Sequence, residues 1–260
     1  MAKSKKEKEF ERKVKALIEE ADRLKDDAVK RVMRMLERAR KEVAAEVAST
    51  EWEIYRQREL QTAVKGALTA FGDQYGVQIR ADQREFWEHG IDMVDQPLKT
   101  VGIKQAMPMI DNRVLSILQD YSSDLVTNLS ADAVKKINNE IAMSLMGQKT
   151  PYEAMQAIGR SLTEKGIFKT IMDRAEAITR TEGGRVLSAA SQKRKEAAAT
   201  VVPGLQKEWR HSHIARVPRL SHLAAEGQRV DVDQPFRVGG EKLMYPRDPA
   251  GSAANTIRCE

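Results

Sequence analysis

The chain has 260 residues, a formal net charge of +6, a pI near 9.3 and a single cysteine. One cysteine excludes an internal disulfide framework and indicates a reducing compartment, and no apolar run approaches the roughly 18 residues that cross a bilayer. Because 32% of the residues are charged and only 5% are aromatic, we expect apolar surface to be buried along helix stripes rather than in one large core.

Residues 1–70 form one long helical pattern, which we interpret as a coiled-coil-like arm. A narrow apolar stripe of this kind is not stable alone in water, so it needs either a later helix of this chain or another protein. Steps of four and three residues define the stripe and make six residues the candidate partner-binding face: Phe10, Val14, Leu17, Leu24, Val32 and Leu36.

Residues 71–200 predict an α-helical domain. We expect a turn at residues 71–76, a helix break at residues 95–97, and a helix over residues 108–125. Ser130 is the predicted N-cap of a helix that Gly147 closes, and Thr150-Pro151-Tyr152-Glu153 has the composition of a capping box. A last helix over residues 168–199 carries Arg180, Thr181 and Glu182, interpreted as a polar patch that anchors this helix to the next domain.

Residues 201–260 predict a small α+β module, separated from the helices by Pro203-Gly204. Short strands are expected over residues 205–210, 228–232 and 236–238, with glycines at the turns between them. The predicted fold class is therefore mainly α: a helical arm, a helical domain and a small α+β C-terminal module. Since this module has few large apolar residues, a metal ion or a neighbouring element would help to stabilise it.

The candidate metal ligands are His222, Cys259, His211 and His213. Imidazole and thiolate are the usual ligands of structural Zn²⁺, but no C-x-x-C or H-x-x-x-H pair is present. The alternatives are that His222 bonds to the local backbone and that Cys259 is simply buried. A Cys/His nucleophile pair is a further alternative, although it lacks a visible orienting group and oxyanion site.

The ordered motifs of the last ninety residues resemble the Mu F-like minor head proteins of tailed bacteriophages, the head-morphogenesis family. The resemblance rests on one series of residues: Arg180, Thr181, Glu182, Trp209, Arg219, Ser221, His222, Leu223, Gly227, Gln228, Asp233, Pro235, Phe236, Gly239, Gly240, Tyr245, Pro246, Asp248, Pro249, Gly251 and Cys259. The chain departs from the family pattern in two places. It has His213-Ile214-Ala215-Arg216 where the family has Asp-x-Arg, and Ile257-Arg258-Cys259-Glu260 where the family ends Cys-Arg-Cys.

This resemblance implies a structural virion protein that is present in several copies, contacts the portal and capsid or scaffold components, and supports head morphogenesis and DNA packaging or delivery. It also implies a location in the capsid interior or at the portal vertex, after assembly in the host cytoplasm. Some members of the family carry a toxin domain after the module; here the module ends the sequence, so we expect no enzymatic activity.

Two other hypotheses remain at this stage. The basic N-terminus and the pI favour a protein that binds DNA non-specifically and accompanies the genome. The alternative of a different class is a hydrolase or transferase that uses His222 and Cys259.

Overall fold

The computed structural model describes residues 4–49, 56–103, 106–210 and 219–257. Within these residues the chain is predominantly helical, which confirms the predicted mainly α fold with a small α+β module at the C-terminal end. The helices are α1 (Lys5–Ser49), α2 (Gln57–Thr100), α3 (Arg113–Leu145), α4 (Pro151–Ile158), α5 (Ile167–Ala199), α6 (Leu220–Ala224) and α7 (Ala253–Thr256), and the strands are β1 (Gln206–Glu208), β2 (Arg229–Asp231), β3 (Phe236–Val238) and β4 (Glu241–Leu243). None of the described helices combines the length and apolarity that a bilayer crossing requires.

The helices divide between two compact units. The first unit comprises Met1–Asp26, Asp82–Gln119 and Arg180–Glu260, and the second comprises Asp27–Ala81 and Asp120–Thr179. Each of α1, α2, α3 and α5 therefore contributes residues to both units. The predicted division of the chain at residues 70 and 200 stays a prediction, because compactness alone does not show which segments fold independently.

The second unit has the larger apolar core, and the stripe of α1 is part of it. Val32, Leu36 and Val43 are at most 1% exposed and pack with the apolar faces of α2, α3 and α5. Tyr75 lies in the same core, and its hydroxyl donates to the carbonyl oxygen of Ala175 at 3.0 Å. The stripe on α1 therefore has partners within this chain.

The predictions of a turn at residues 71–76 and of a break at residues 95–97 are wrong, because α2 runs through both segments. Phe71 and Tyr75 are buried on one face of the helix, and Gly72 lies against α3, where an added Cβ would meet the Ser130 hydroxyl at 2.4 Å. This glycine permits close helix packing rather than a turn. Pro97 lies in the last turn of α2, and the helix ends three residues later at Thr100, so this proline removes one i→i−4 hydrogen bond without stopping the helix at once.

The prediction that Ser130 caps a new helix is also wrong. Ser130 lies inside α3, and its hydroxyl donates to the Val126 carbonyl oxygen one turn earlier, at 3.1 Å. The two helices predicted over residues 108–145 are a single helix that begins at Arg113. By contrast, the capping box at Thr150 is confirmed: the Thr150 hydroxyl accepts from the Glu153 amide, and the Glu153 carboxylate accepts from the Thr150 amide.

The α+β module contains two antiparallel strand pairs, β1 with β2 and β3 with β4. The predicted strands correspond to β1, β2 and β3, whereas β4 was not predicted. A two-residue turn of Gly239 and Gly240 joins β3 to β4, and both residues have positive φ (58° and 82°). Such turns match the twist of a hairpin and require residues that tolerate positive φ.

Candidate functional site

The apolar centre of the module is an aromatic cluster formed by three residues of the motif series. The Trp209 ring meets the Phe236 ring edge to face at 5.3 Å and the His222 ring at 5.7 Å between centroids. All three side chains are at most 4% exposed. Only a few further apolar residues, among them Val238 and Leu243, complete this core. A core of this size contributes modestly to stability, so other contacts must hold the module in place.

The segment Tyr245-Pro246-Arg247-Asp248-Pro249 forms a tight turn that Asp248 organises. The two carboxylate oxygens of Asp248 accept hydrogen bonds from the backbone amides of Met244 (2.8 Å) and Ala250 (2.9 Å). Arg247 has a φ of 65°, the left-handed conformation that non-glycine residues rarely adopt. Burial also raises the pKa of Tyr245 to about 12, so its hydroxyl stays protonated.

This turn packs on α5 through what we call the arginine cluster, formed by Glu182, Arg185 and Arg247. Arg185 donates from Nη1 to Glu182 Oε2 at 2.5 Å and from Nε to the Arg247 carbonyl oxygen at 3.2 Å. Gly184 lies under the Arg247 guanidinium, where a Cβ would be 2.6 Å from Cζ. Burial raises the pKa of Glu182, while the charges of Arg185 and Arg247 act in the opposite direction.

A second set of buried polar contacts, which we call the lysine cluster, joins β1 to α5. Lys207 is 3% exposed and donates to the Gln192 side-chain oxygen (3.2 Å) and to the Met244 carbonyl oxygen (2.8 Å). Its amine also lies 5.1 Å from the centre of the Phe236 ring. Gln192 in turn donates to the Val232 carbonyl oxygen at 2.8 Å. Burial lowers the pKa of Lys207 to about 8.

The remaining residues of the motif series have structural contacts as well. Arg180 pairs with Asp26 at 2.9 Å, and Thr181 is buried. Arg219 precedes α6 and donates to the Ile257 carbonyl oxygen. Gly227 has a φ of 76° and donates its amide to the Trp209 carbonyl oxygen. The principal residues of the motif series all lie in the first unit: Arg180, Thr181, Glu182, Trp209, Arg219, His222, Gly227, Tyr245, Pro246, Asp248 and Pro249.

Three of the four candidate zinc ligands, His211, His213 and Cys259, lie outside the described residues. The described part of the chain has no group of three or more His, Cys, Asp or Glu side chains placed to hold a metal ion. Zinc binding therefore stays a prediction. An open depression of about 440 Å³ in the second unit is lined by Met35, Asp73, Gln74, Val77 and Gln78, a set without histidine, cysteine or serine.

The candidate partner-binding face of the arm needs a correction. Leu17, Val32 and Leu36 are at most 2% exposed, and Phe10, Val14 and Leu24 are partly buried. The alternative of internal packing therefore describes the three buried side chains, which are not available to an external partner.

Arg185, Gln192 and Lys207 were missed by the sequence analysis. Arginine, glutamine and lysine side chains are usually solvated, so none of these residue types predicts burial. The available signal was Gly183-Gly184, two glycines inside a long helix where each costs about 1 kcal/mol relative to alanine. Such a pair indicates that another element approaches the helix closely, as Phe86 does at Gly183 and Arg247 at Gly184.

These features define a mainly helical protein whose C-terminal α+β module is attached to a long helix by buried polar clusters. No family model and no solved structure matches the chain. The chain is similar to NAD(+)--arginine ADP-ribosyltransferase EFV from Enterococcus faecalis, with 28% identity over 152 residues. This match covers 58% of the chain but only 28% of that protein, so the chain spans little more than a quarter of its relative's length.

This comparison contradicts the expectation that the chain has no enzymatic activity. The relative is named as an enzyme, whereas that expectation rested on the structural role that the resemblance implies and on the absence of a toxin domain after the module. It is therefore withdrawn.

Proposed function

We propose that the chain is a structural minor head protein of a tailed bacteriophage, which associates with the portal or procapsid interior and supports head morphogenesis and DNA packaging or delivery. The observation that supports this proposal is the arginine cluster. Two segments of the motif series, one around Glu182 and one around Asp248, are about sixty residues apart in sequence. In the structure these segments form one buried, hydrogen-bonded assembly, as expected if the whole series describes a single module.

The test is the presence of the chain in phage particles. Virions and DNA-free procapsids are purified on density gradients from induced host cells. The amount of the chain in each particle type, relative to the major capsid protein, is then measured by mass spectrometry. We expect the chain in both particle types at a few copies or more per particle. A stop codon at Trp209, complemented in parallel by the intact gene, should reduce the yield of DNA-filled heads.

The choice of this truncation follows from the fold. Replacing Leu17 or Leu24 would disturb the interior of the first unit as well as any contact with the portal, since Leu17 is 2% exposed. Particles that lack the chain, or DNA-filled heads produced at the normal level by the truncated gene, would overturn the head-protein proposal.

A second candidate function is NAD⁺-dependent ADP-ribosylation of arginine, and the observation in its favour is the similarity to the enterococcal protein. The two functions are compatible, because the family that the motif series resembles includes members with a toxin domain. The test is incubation of the purified chain with biotinylated NAD⁺ and agmatine. Label transfer above that of heat-denatured protein supports this activity, and equal labelling removes it.

A further inference from the structure

The hairpin of β3 and β4 presents two cations directly opposite each other. Arg237 on β3 pairs in register with Lys242 on β4. Both side chains are exposed, whereas Phe236, Val238 and Leu243 on the inner face are buried. Because side chains alternate between the two faces of a strand, Arg237 and Lys242 project together from the outer face. We call them the basic pair.

The basic pair is unfavourable for the isolated module. Like charges directly opposite each other in an antiparallel ladder destabilise the hairpin. Neither side chain forms an ion pair or a hydrogen bond with any described residue. The acid in the same hairpin, Glu241, instead accepts from the Ser252 amide at 3.0 Å. The pairing therefore has no structural explanation within the described part of the chain.

Further cations lie close to the basic pair. The Gln228 side chain accepts from the Arg237 amide at 2.7 Å, which places the start of β2 beside β3. The next residue, Arg229, is exposed and shares Glu208 with Arg210, at 2.8 and 2.7 Å. Two arginines and one carboxylate leave this neighbouring group with a net positive charge. Arg210 and Arg229 thus add cations beside the basic pair, whereas Asp231, at the other end of β2, accepts from the Gln206 side chain.

We propose that the basic pair is a contact site for the phosphate backbone of nucleic acid. Phosphate contacts require accessible Lys and Arg side chains and no base-specific geometry, and Arg237 and Lys242 meet this requirement. A stable protein partner would instead require a buried aromatic or apolar anchor at the centre of the contact, and the outward residues of β3 and β4 include none. This inference does not depend on the head-protein proposal.

Fluorescence anisotropy of the full-length chain with a labelled 20-base-pair duplex tests the proposal, with titrations between 50 and 200 mM salt. The test variant is Lys242→Glu, which places an acid opposite Arg237. We expect about tenfold weaker binding at the lowest salt and a slope of log K against log salt that is smaller by about one. Because the new cross-strand pair is of opposite charge, the same variant should unfold at a higher urea concentration than wild type. If Lys242→Glu instead lost binding because it misfolded, it would unfold at a lower urea concentration than wild type.

The matched control is Lys65→Glu, which makes the same charge change at an exposed position of α2. We expect it to bind DNA nearly as wild type does. The proposal is overturned if wild type fails to bind at 50 mM salt, if Lys242→Glu binds as wild type does, or if the control loses as much affinity. It is also overturned if poly-L-glutamate, at equal charge, binds more tightly than the duplex, because an acidic protein would then be the better partner.

Discussion

Gly184 shows how one residue without a side chain makes room for the module. In α5 a glycine is unfavourable by about 1 kcal/mol relative to alanine, yet here it allows the Arg247 guanidinium to lie against the helix backbone. An added Cβ would be 2.6 Å from Arg247 Cζ, and Arg247 is itself buried, so the guanidinium has little room to shift. The role of this glycine is therefore steric.

We predict that Gly184→Ala lowers the free energy of unfolding by about 1–3 kcal/mol through overpacking. Urea denaturation followed by circular dichroism measures this change. The matched control is Gly76→Ala in α2, where an added Cβ meets nothing within 4 Å, and it should raise stability by about 0.5–1 kcal/mol. Equal effects of the two substitutions would show that helix propensity, and not the packing of Arg247, decides the outcome.

Lys207 makes stability depend on pH in the alkaline range. Burial lowers its pKa to about 8, although Glu196, Asp233 and Asp248 act to raise it, and an unfolded lysine has a pKa near 10.4. Between these values the unfolded chain binds more protons than the folded chain does. The free energy of unfolding should therefore rise as the pH increases from about 8 to 10.

We predict that Lys207→Met makes this rise smaller. Part of it should remain, because the pKa of Lys195 is also lowered to about 8, first by burial and then by the charge of Lys207. Urea midpoints at pH 8, 9 and 10 provide the measurement, with exposed Lys65→Met as a control that keeps the wild-type slope. The Tyr245 hydroxyl, whose pKa is raised to about 12, opposes the rise only above pH 10. A wild-type midpoint that falls over this range would contradict the assignment.

At the scale of elements, the arginine cluster attaches the Tyr245–Pro249 turn to α5. A buried ion pair adds little compared with a well-packed apolar pair, but removal of one partner leaves an uncompensated charge. Glu182 and Arg185 are 3% and 7% exposed, so solvent cannot compensate a missing partner.

Replacing Arg185 with Met should therefore lower the free energy of unfolding by about 3 kcal/mol at pH 8. The loss should be smaller at pH 5, because burial already raises the pKa of Glu182 and protonation removes its charge when Arg185 is absent. The double variant Glu182→Gln, Arg185→Met should recover part of the stability at pH 8. A loss that is the same at both pH values would indicate that packing, not charge, is responsible.

The short helix α4 depends on its first turn in a similar way. Thr150 and Glu153 satisfy each other's backbone amides in a complete capping box, and a helix of eight residues has little other support. Thr150→Ala should cost about 1 kcal/mol of stability, measured by thermal unfolding. The exposed Thr62 of α2, whose hydroxyl donates to the Arg58 carbonyl oxygen, is a suitable control position, and Thr62→Ala should change stability by less. An equal loss at both positions would contradict a specific role of the cap.

At the scale of the whole molecule, both compact units are assembled from segments that are distant in sequence. The first unit combines the start of α1, parts of α2 and α3, and everything from Arg180 onwards. In this unit the module covers the buried polar residues of α5, including Arg185 and Gln192. Those residues would face water if the module were removed.

We predict that a chain truncated after residue 200 unfolds at a lower temperature than the full chain. Limited proteolysis should then cleave α5 first beyond residue 180, while the part of α5 in the second unit stays protected by its packing with α2 and α3. Equal unfolding temperatures would show that the module is dispensable for the helices, in agreement with an independent domain at residues 201–260.

The sequence alone determined the mainly helical character of the chain, the start of α4 and the presence of a glycine-punctuated α+β module. These features depend on local chemistry: apolar spacing, capping residues and residues that tolerate positive φ. The tertiary structure decided that α2 continues through Gly72 and Pro97, that the stripe of α1 packs inside this chain, and that Arg185 and Lys207 are buried. Several of these outcomes depend on packing against a segment far away in sequence, such as Ser130 beside Gly72 or Arg247 above Gly184, and a local pattern contains no information about such a neighbour.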